Sequence, residues 1–202
     1  MLIDNTATSV MRLAVDRTRQ GAVTGPELAN AHRNVGRLLA ADIANQLAIE
    51  ECIIEHSTGP RQDGVRLLKT SQPVVVPLMR AGLFVAEGIW EMLPGAALMP
   101  WFPNTTAIPT LPSERPTILV DAVINSGRSM QLALDALKER GSQNIIVATL
   151  VGYRPTLEAM AEGNPTVTFV AGRASDRSYC GRGGTDTGAR LFGTMSWENE
   201  NI

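Results

Sequence analysis

The sequence predicts a single α/β domain over residues 1–202, built on a parallel sheet with helices packed against it. Three observations predict this. Short apolar runs at 73–79, 117–121, 145–151 and 167–171 alternate with stretches of helical periodicity. These runs are apolar throughout rather than every second residue, as in strands covered on both faces. The chain shows no internal repeat, low-complexity tract or domain boundary, and 202 residues suffice for one substantial core.

The elements follow in order. Thr24-Gly-Pro-Glu27 reads as a capping box, with a helix from about Pro26 to about Glu50 whose Leu28, Val35, Leu39 and Ile43 share a face. His56–Arg61, with Gly59-Pro60, is a loop. Pro73–Met79 is a buried strand, Arg80-Ala-Gly82 a turn, and Leu83–Leu93 a helix. Ala96–Phe102 is a weaker strand, and the proline- and threonine-rich Pro103–Pro116 is a loop or irregular hairpin. Strand 117–121, helix 129–140, strand Ile145–Val151, helix Thr156–Glu162 and strand Val167–Ala171 complete the series. Met130, Ala133, Leu134 and Leu137 carry the helical spacing, and Gly141 stands at the C-cap.

Composition narrows the function. A net charge of −2 with 19% charged residues offers no basic surface for nucleic acid. No apolar stretch approaches a membrane span, and Met1–Gln20 lacks the apolar core of a signal peptide. Two cysteines, Cys52 and Cys180, make no disulfide framework and suit a reducing cytoplasm, which is the expected location.

Chemistry concentrates at the carboxyl ends of the strands, where parallel sheets bind ligands. After the run 118–121 come Asn125, Ser126, Gly127, Arg128 and Ser129, opening a helix. Small side chains, hydroxyls and free helix N–H groups suit a phosphate. Asp121 would repel a phosphate and suits sugar hydroxyls, so the ligand carries both phosphate and ribose. Neither a Walker loop nor a dinucleotide fingerprint is present. Arg80, directly after another buried strand, can fork two phosphate oxygens. Glycines 181, 183, 184, 188 and 193, flanked by Tyr179, Leu191 and Phe192, mark a loop able to read a flat base by its backbone.

Three segments together resemble the uracil phosphoribosyltransferase family: Leu78–Leu83, Val120–Ser129 and Tyr179–Thr194, the last with Arg190-Leu-Phe-Gly-Thr194 unchanged. The resemblance covers most of the chain. It implies the type I phosphoribosyltransferase fold, with a small hood from the N- and C-terminal segments. It implies transfer of 5-phosphoribose from phosphoribosyl diphosphate (PRPP) to uracil, giving UMP and diphosphate with Mg²⁺. Carried over by position, Arg80, Asp121 and Asp186 are the catalytic residues. PRPP would meet Arg80, Asp121, Ala122, Val123, Ile124, Asn125, Ser126, Gly127, Arg128, Ser129 and Asp186. The base would meet Tyr179, Cys180, Thr185, Asp186 and Thr187. Mg²⁺ would be held through PRPP and water, with no direct protein ligand. The family is commonly oligomeric and some members respond to GTP, so a homo-oligomer and a GTP effector are the expected partners.

The chain departs from the family in four places. The stretch between Arg80 and Asp121 is short, and Trp101-Phe-Pro-Asn-Thr105 replaces a hairpin whose arginine binds PRPP, with Arg115 as a substitute. Ala189 stands for a second aspartate. Arg182 and Thr185 replace proline and glycine in the base loop, and Arg128 replaces a glycine in the phosphate loop. These departures leave two alternatives open: a modified pyrimidine or other heterocycle as acceptor, and a nucleotide sensor without turnover. The apolar loop Pro100-Trp-Phe-Pro103 and Trp197 are candidates for a subunit interface. His32 and His56 read as structural or solvent-facing.

Overall fold

A computed structural model of the protein describes residues 1–103, 107, 110–179 and 181–195. Eight strands are seen among them: β1 Leu2–Asp4, β2 Ile49–Glu55, β3 Arg61–Leu67, β4 Val74–Pro77, β5 Ala97–Leu98, β6 Thr117–Ile124, β7 Ile145–Tyr153 and β8 Thr168–Ser175. The helices are α1 Ser9–Arg19, α2 Gly25–Ala44, α3 Leu83–Met92, α4 Arg128–Glu139, α5 Arg154–Gly163 and α6 Thr187–Phe192. Six strands form one fully parallel sheet in the order β1-β8-β7-β6-β4-β5. Helices cover both faces, as parallel strands require.

Each face has its own core. Under α1, α2 and α3 lie Met11, Val15, Val35, Leu39, Val85, Ile118, Val120, Ile146 and Val170. Under α4 and α5 lie Met130, Leu134, Leu137 and Leu157 against Leu119, Val147 and Phe169. Each fully buried side chain of this size stabilises the fold by about 1.5–3 kcal/mol relative to exposure. The α2–α3 crossing is set by two glycines. A Cβ on Gly36 would stand 2.1 Å from the Val85 carbonyl oxygen, and one on Gly88 2.1 Å from that of Arg33. The Arg33–Glu87 pair (2.6 Å) and the Arg37–Glu91 pair (2.7 Å) flank this close approach.

Several expectations need correction. The long helix stops at Ala44, with Asn45 as C-cap, and Ile49–Glu55 is instead a strand paired antiparallel with Arg61–Leu67. The Thr24 hydroxyl makes no cap bond; Glu27 pairs with Arg17 instead. β1 and α1 were not expected. Three residues are too few to show a strand pattern, and α1 buries only Met11, Val15 and Thr18. β6 continues to Ile124 and β8 to Ser175, beyond their apolar runs. In the loop expected at an interface, Trp101 is a core residue, 4% exposed and bridged to Leu78, while Phe102 is exposed. Trp197, Asn104 and Thr105 lie outside the described residues.

The hood is small and has a specific latch. The N-terminal strand joins the main sheet, while Val23, Leu28, Ala29 and Leu191 form a separate apolar cluster where α6 meets α2. The Arg190 guanidinium donates to the carbonyls of Gln20 (2.9 Å), Val23 (2.8 Å) and Thr18 (3.4 Å). No helix among the described residues is long and apolar enough to cross a membrane.

Candidate active site at the carboxyl edge of the sheet

Parallel strands carry their loops out on one edge, and β4, β6 and β8 deliver three segments there. From β4 comes Arg80, after a cis Met79–Arg80 peptide bond. Its guanidinium lies 5.7 Å from the Phe192 ring centroid, a cation–π contact with the last residue of α6. From beyond β8 comes Asp186, the N-cap of α6, whose Oδ2 accepts from the Ala189 N–H at 2.8 Å. Gly188 lies between the two: a Cβ there would stand 3.1 Å from Asp186 Oδ2 and 3.6 Å from an Arg80 terminal nitrogen. Arg80 and Asp186, distant in sequence, therefore face one space kept open by a missing side chain.

From β6 comes Asp121 and the loop that opens α4. Burial pushes the Asp121 carboxyl up to about 7, and the N–H groups of Val123 and Ala122 that donate to it oppose the rise. Gly127 is the N-cap of α4 at φ 72°, and a Cβ on it would meet Met160 Sδ at 2.6 Å. Ser126, Arg128 and Ser129 are exposed around that helix start. The Asn125 Oδ1 accepts the Tyr179 N–H at 3.2 Å, which ties this loop to the glycine-rich one. Ala122 and Ile124, expected to meet PRPP, are strand residues with side chains in the two cores, and the expected phosphate cradle 125–129 follows directly on β6.

In the glycine-rich loop, Thr185 uses its hydroxyl internally. It accepts from the Arg182 N–H at 3.0 Å and donates to the Arg182 carbonyl at 2.9 Å. The Tyr179 hydroxyl donates to the Thr185 carbonyl. The threonine that replaces a family glycine thus fastens a turn, Gly183–Thr185, rather than filling a pocket. Thr187 opens α6 and lines a cavity with Tyr179; Cys180 lies outside the described residues.

That cavity, about 410 Å³, is the feature the sequence reasoning missed. It opens beside Val123 and Val151 and reaches His32. His32 is 2% exposed, its Nδ1 has no hydrogen-bond partner among the described residues, and burial followed by the Arg190 charge brings its pKa down to about 4. Arg115, the proposed substitute for the hairpin arginine, is elsewhere: it donates to the carbonyls of Gln72 and Gly95 at the opposite edge of the sheet.

Comparison with known proteins agrees with this geometry. The family model for uracil phosphoribosyltransferase matches residues 5–194. The uracil phosphoribosyltransferase of Latilactobacillus sakei is 30% identical over 184 residues, covering 83% of this chain and 85% of that protein. That of Lactobacillus gasseri is 31% identical over 176 residues, covering 79% and 83%. A solved structure of an Aquifex aeolicus protein shares the fold with a TM-score of 0.73 at 20% identity, over 95% of this chain and 98% of that one. The match runs through all three segments of the site, and the chain belongs to the uracil phosphoribosyltransferase family of pentosyltransferases.

Proposed function

We propose that the protein transfers 5-phosphoribose from PRPP to N1 of uracil or a closely related base, releasing diphosphate and a nucleoside monophosphate. The observation that carries this reading is the convergence of Arg80 and Asp186 across Gly188, at the same carboxyl edge of the sheet as Asp121 and the start of α4. Each group suits one part of PRPP. Arg80 can fork the diphosphate oxygens. The α4 N-terminus and the hydroxyls of Ser126 and Ser129 can hold the 5′-phosphate. Asp121, as a carboxylate, can accept from ribose hydroxyls. Breaking the bond from C1 to the diphosphate builds positive charge on the sugar and negative charge on the leaving group. Arg80 meets the second of these and the Asp121 carboxylate the first.

The donor set fits Mg²⁺ carried on the diphosphate. Among the described residues no cluster of three histidine, cysteine, aspartate or glutamate side chains could ligate a metal alone. Asp186 commits one oxygen to the α6 cap, which leaves the other for a cation's water shell. When bound, the cation would neutralise charge on the leaving diphosphate.

The test is diphosphate release from PRPP and Mg²⁺ in the presence of uracil, comparing wild type with Asp186→Asn. The amide still caps α6, so loss of the charge alone should lower kcat by about 10–100-fold at unchanged melting temperature. Uracil-independent release, or an unaffected variant, would sink the reading.

A further inference from the structure

The cavity beside the base loop is cationic in a way that a neutral pyrimidine does not need. Among the described residues lining it are Arg19, Arg173, Arg177 and Arg190, and none is an acid. The chain as a whole carries −2. Arg19 pairs with Asp16 at 2.7 Å, and Arg190 turns one terminal nitrogen to backbone carbonyls. Arg173 and Arg177 make no ion pair with any described residue.

Arg173 stands in register with an irregularity shared by β6 and β7. In register across the sheet stand Val123, Val151 and Arg173. On β6, Ala122 and Val123 both pack toward the α1–α2 core, although alternation would send them to opposite faces. On β7, Leu150 and Val151 do the same. The Thr149 hydroxyl, bonded to the Val151 carbonyl at 3.0 Å, holds that break. A row of two valines and an arginine therefore leads from beside Asp121 outward along one face, with the valines offering a flat apolar seat and the arginine a charge beyond it.

The donor's own anions do not account for this charge. Arg80, Asp186 and the loop 125–129 do not line the cavity, and α4 packs on the other face of the sheet. Tyr179 and Thr187, expected to read the base, do line it. His32 adds a buried, neutral imidazole whose Nδ1 lacks a partner among the described residues.

Resting on the transferase reading above, we propose that the acceptor is a pyrimidine-like base bearing an anionic substituent, a carboxylate, which Arg173 and Arg177 receive. Uracil offers no anion to either guanidinium; Arg173 is half-buried and Arg177 exposed, so the charged acceptor is favoured by the ion pairs that its carboxylate gains.

The experiment is steady-state diphosphate release by the full chain with PRPP, Mg²⁺ and, in turn, uracil, uracil-5-carboxylate and uracil-6-carboxylate, for wild type, Arg173→Gln and Arg173→Lys. One carboxylated base should exceed uracil in kcat/KM by about tenfold or more, and Arg173→Gln should lower that ratio by about 10–100-fold. Arg173→Lys should recover part of the ratio, which a merely structural arginine would not do. Equal or better use of uracil by wild type, or a ratio indifferent to Arg173→Gln, overturns the proposal. So does stimulation of uracil turnover by added inorganic phosphate, which would assign the cations to a separate anion. If no base turns over, the transferase reading has failed, and calorimetry with the same two carboxylates decides the pocket alone. Binding lost in Arg173→Gln supports it, and no binding overturns it.

Discussion

Asp121 shows how a buried carboxylate costs stability before any ligand arrives. Its pKa is about 7 in the folded chain against 3.8 as the ordinary value. Between those values the folded protein holds a proton that the unfolded chain has lost. Stability is therefore complete below pH 3.8, falls as pH rises through the window, and levels off above 7. Asp121→Asn removes the titration, so the melting temperature of the free variant should exceed wild type at pH 8, by an amount corresponding to at most about 4 kcal/mol. The gain should shrink at pH 5 while turnover is lost at both; calorimetry at the two pH values checks this, and equal gains would contradict it. His32 carries a related lesson about reading sequence. It falls at the i+4 position between Leu28 and Val35, on the apolar stripe of α2, so its burial was legible from spacing alone. What spacing could not show is that the buried imidazole borders a cavity, because Tyr179, Val151 and Arg173 reach that place from other elements.

At the scale of elements, legibility followed local signals. α4 was readable because its burial pattern has helical period and because Gly141, at φ 83°, closes a Schellman cap: its N–H bonds the Lys138 carbonyl at 2.9 Å and the Ser142 N–H bonds that of Leu137 at 3.1 Å. The β2–β3 hairpin was unreadable for the opposite reason. Both its faces are largely exposed, with Ile49, Ile53 and Val65 outward, and cross-strand pairs such as Glu50 and Arg66 (2.7 Å) replace apolar alternation. The three site segments were legible as motifs, whereas the register that sets Arg173 beside the β6–β7 irregularity depends on β6, β7 and β8 together. The α2–α3 crossing allows a direct test. Gly36→Ala and Gly88→Ala each place a methyl against a backbone carbonyl that cannot yield alone, so each should destabilise by about 1–3 kcal/mol in urea unfolding. The double variant should cost less than the sum, since the first separation of the helices makes room for the second. Additive costs would show that the two contacts relax independently.

Over the whole molecule, the bonds of Arg190 to the end of α1 and the α1–α2 connection hold α6 against the body. Arg190→Ala should raise amide hydrogen exchange across 187–192 by about tenfold or more while global unfolding shifts little, because α6 contributes one small cluster of its own. Protection unchanged in α6 would place the latch in Leu191 alone. The sheet that anchors all this also ends in a consequential way. Its interior strands run from four to nine residues, but the outermost are β5 with two and β1 with three. Among the described residues, a foreign strand would meet only these short borders, too short a template to extend. The brevity of β1 and β5, which hid one of them from sequence inspection, equips an otherwise strongly apolar parallel sheet to resist growing by addition of strands from other chains.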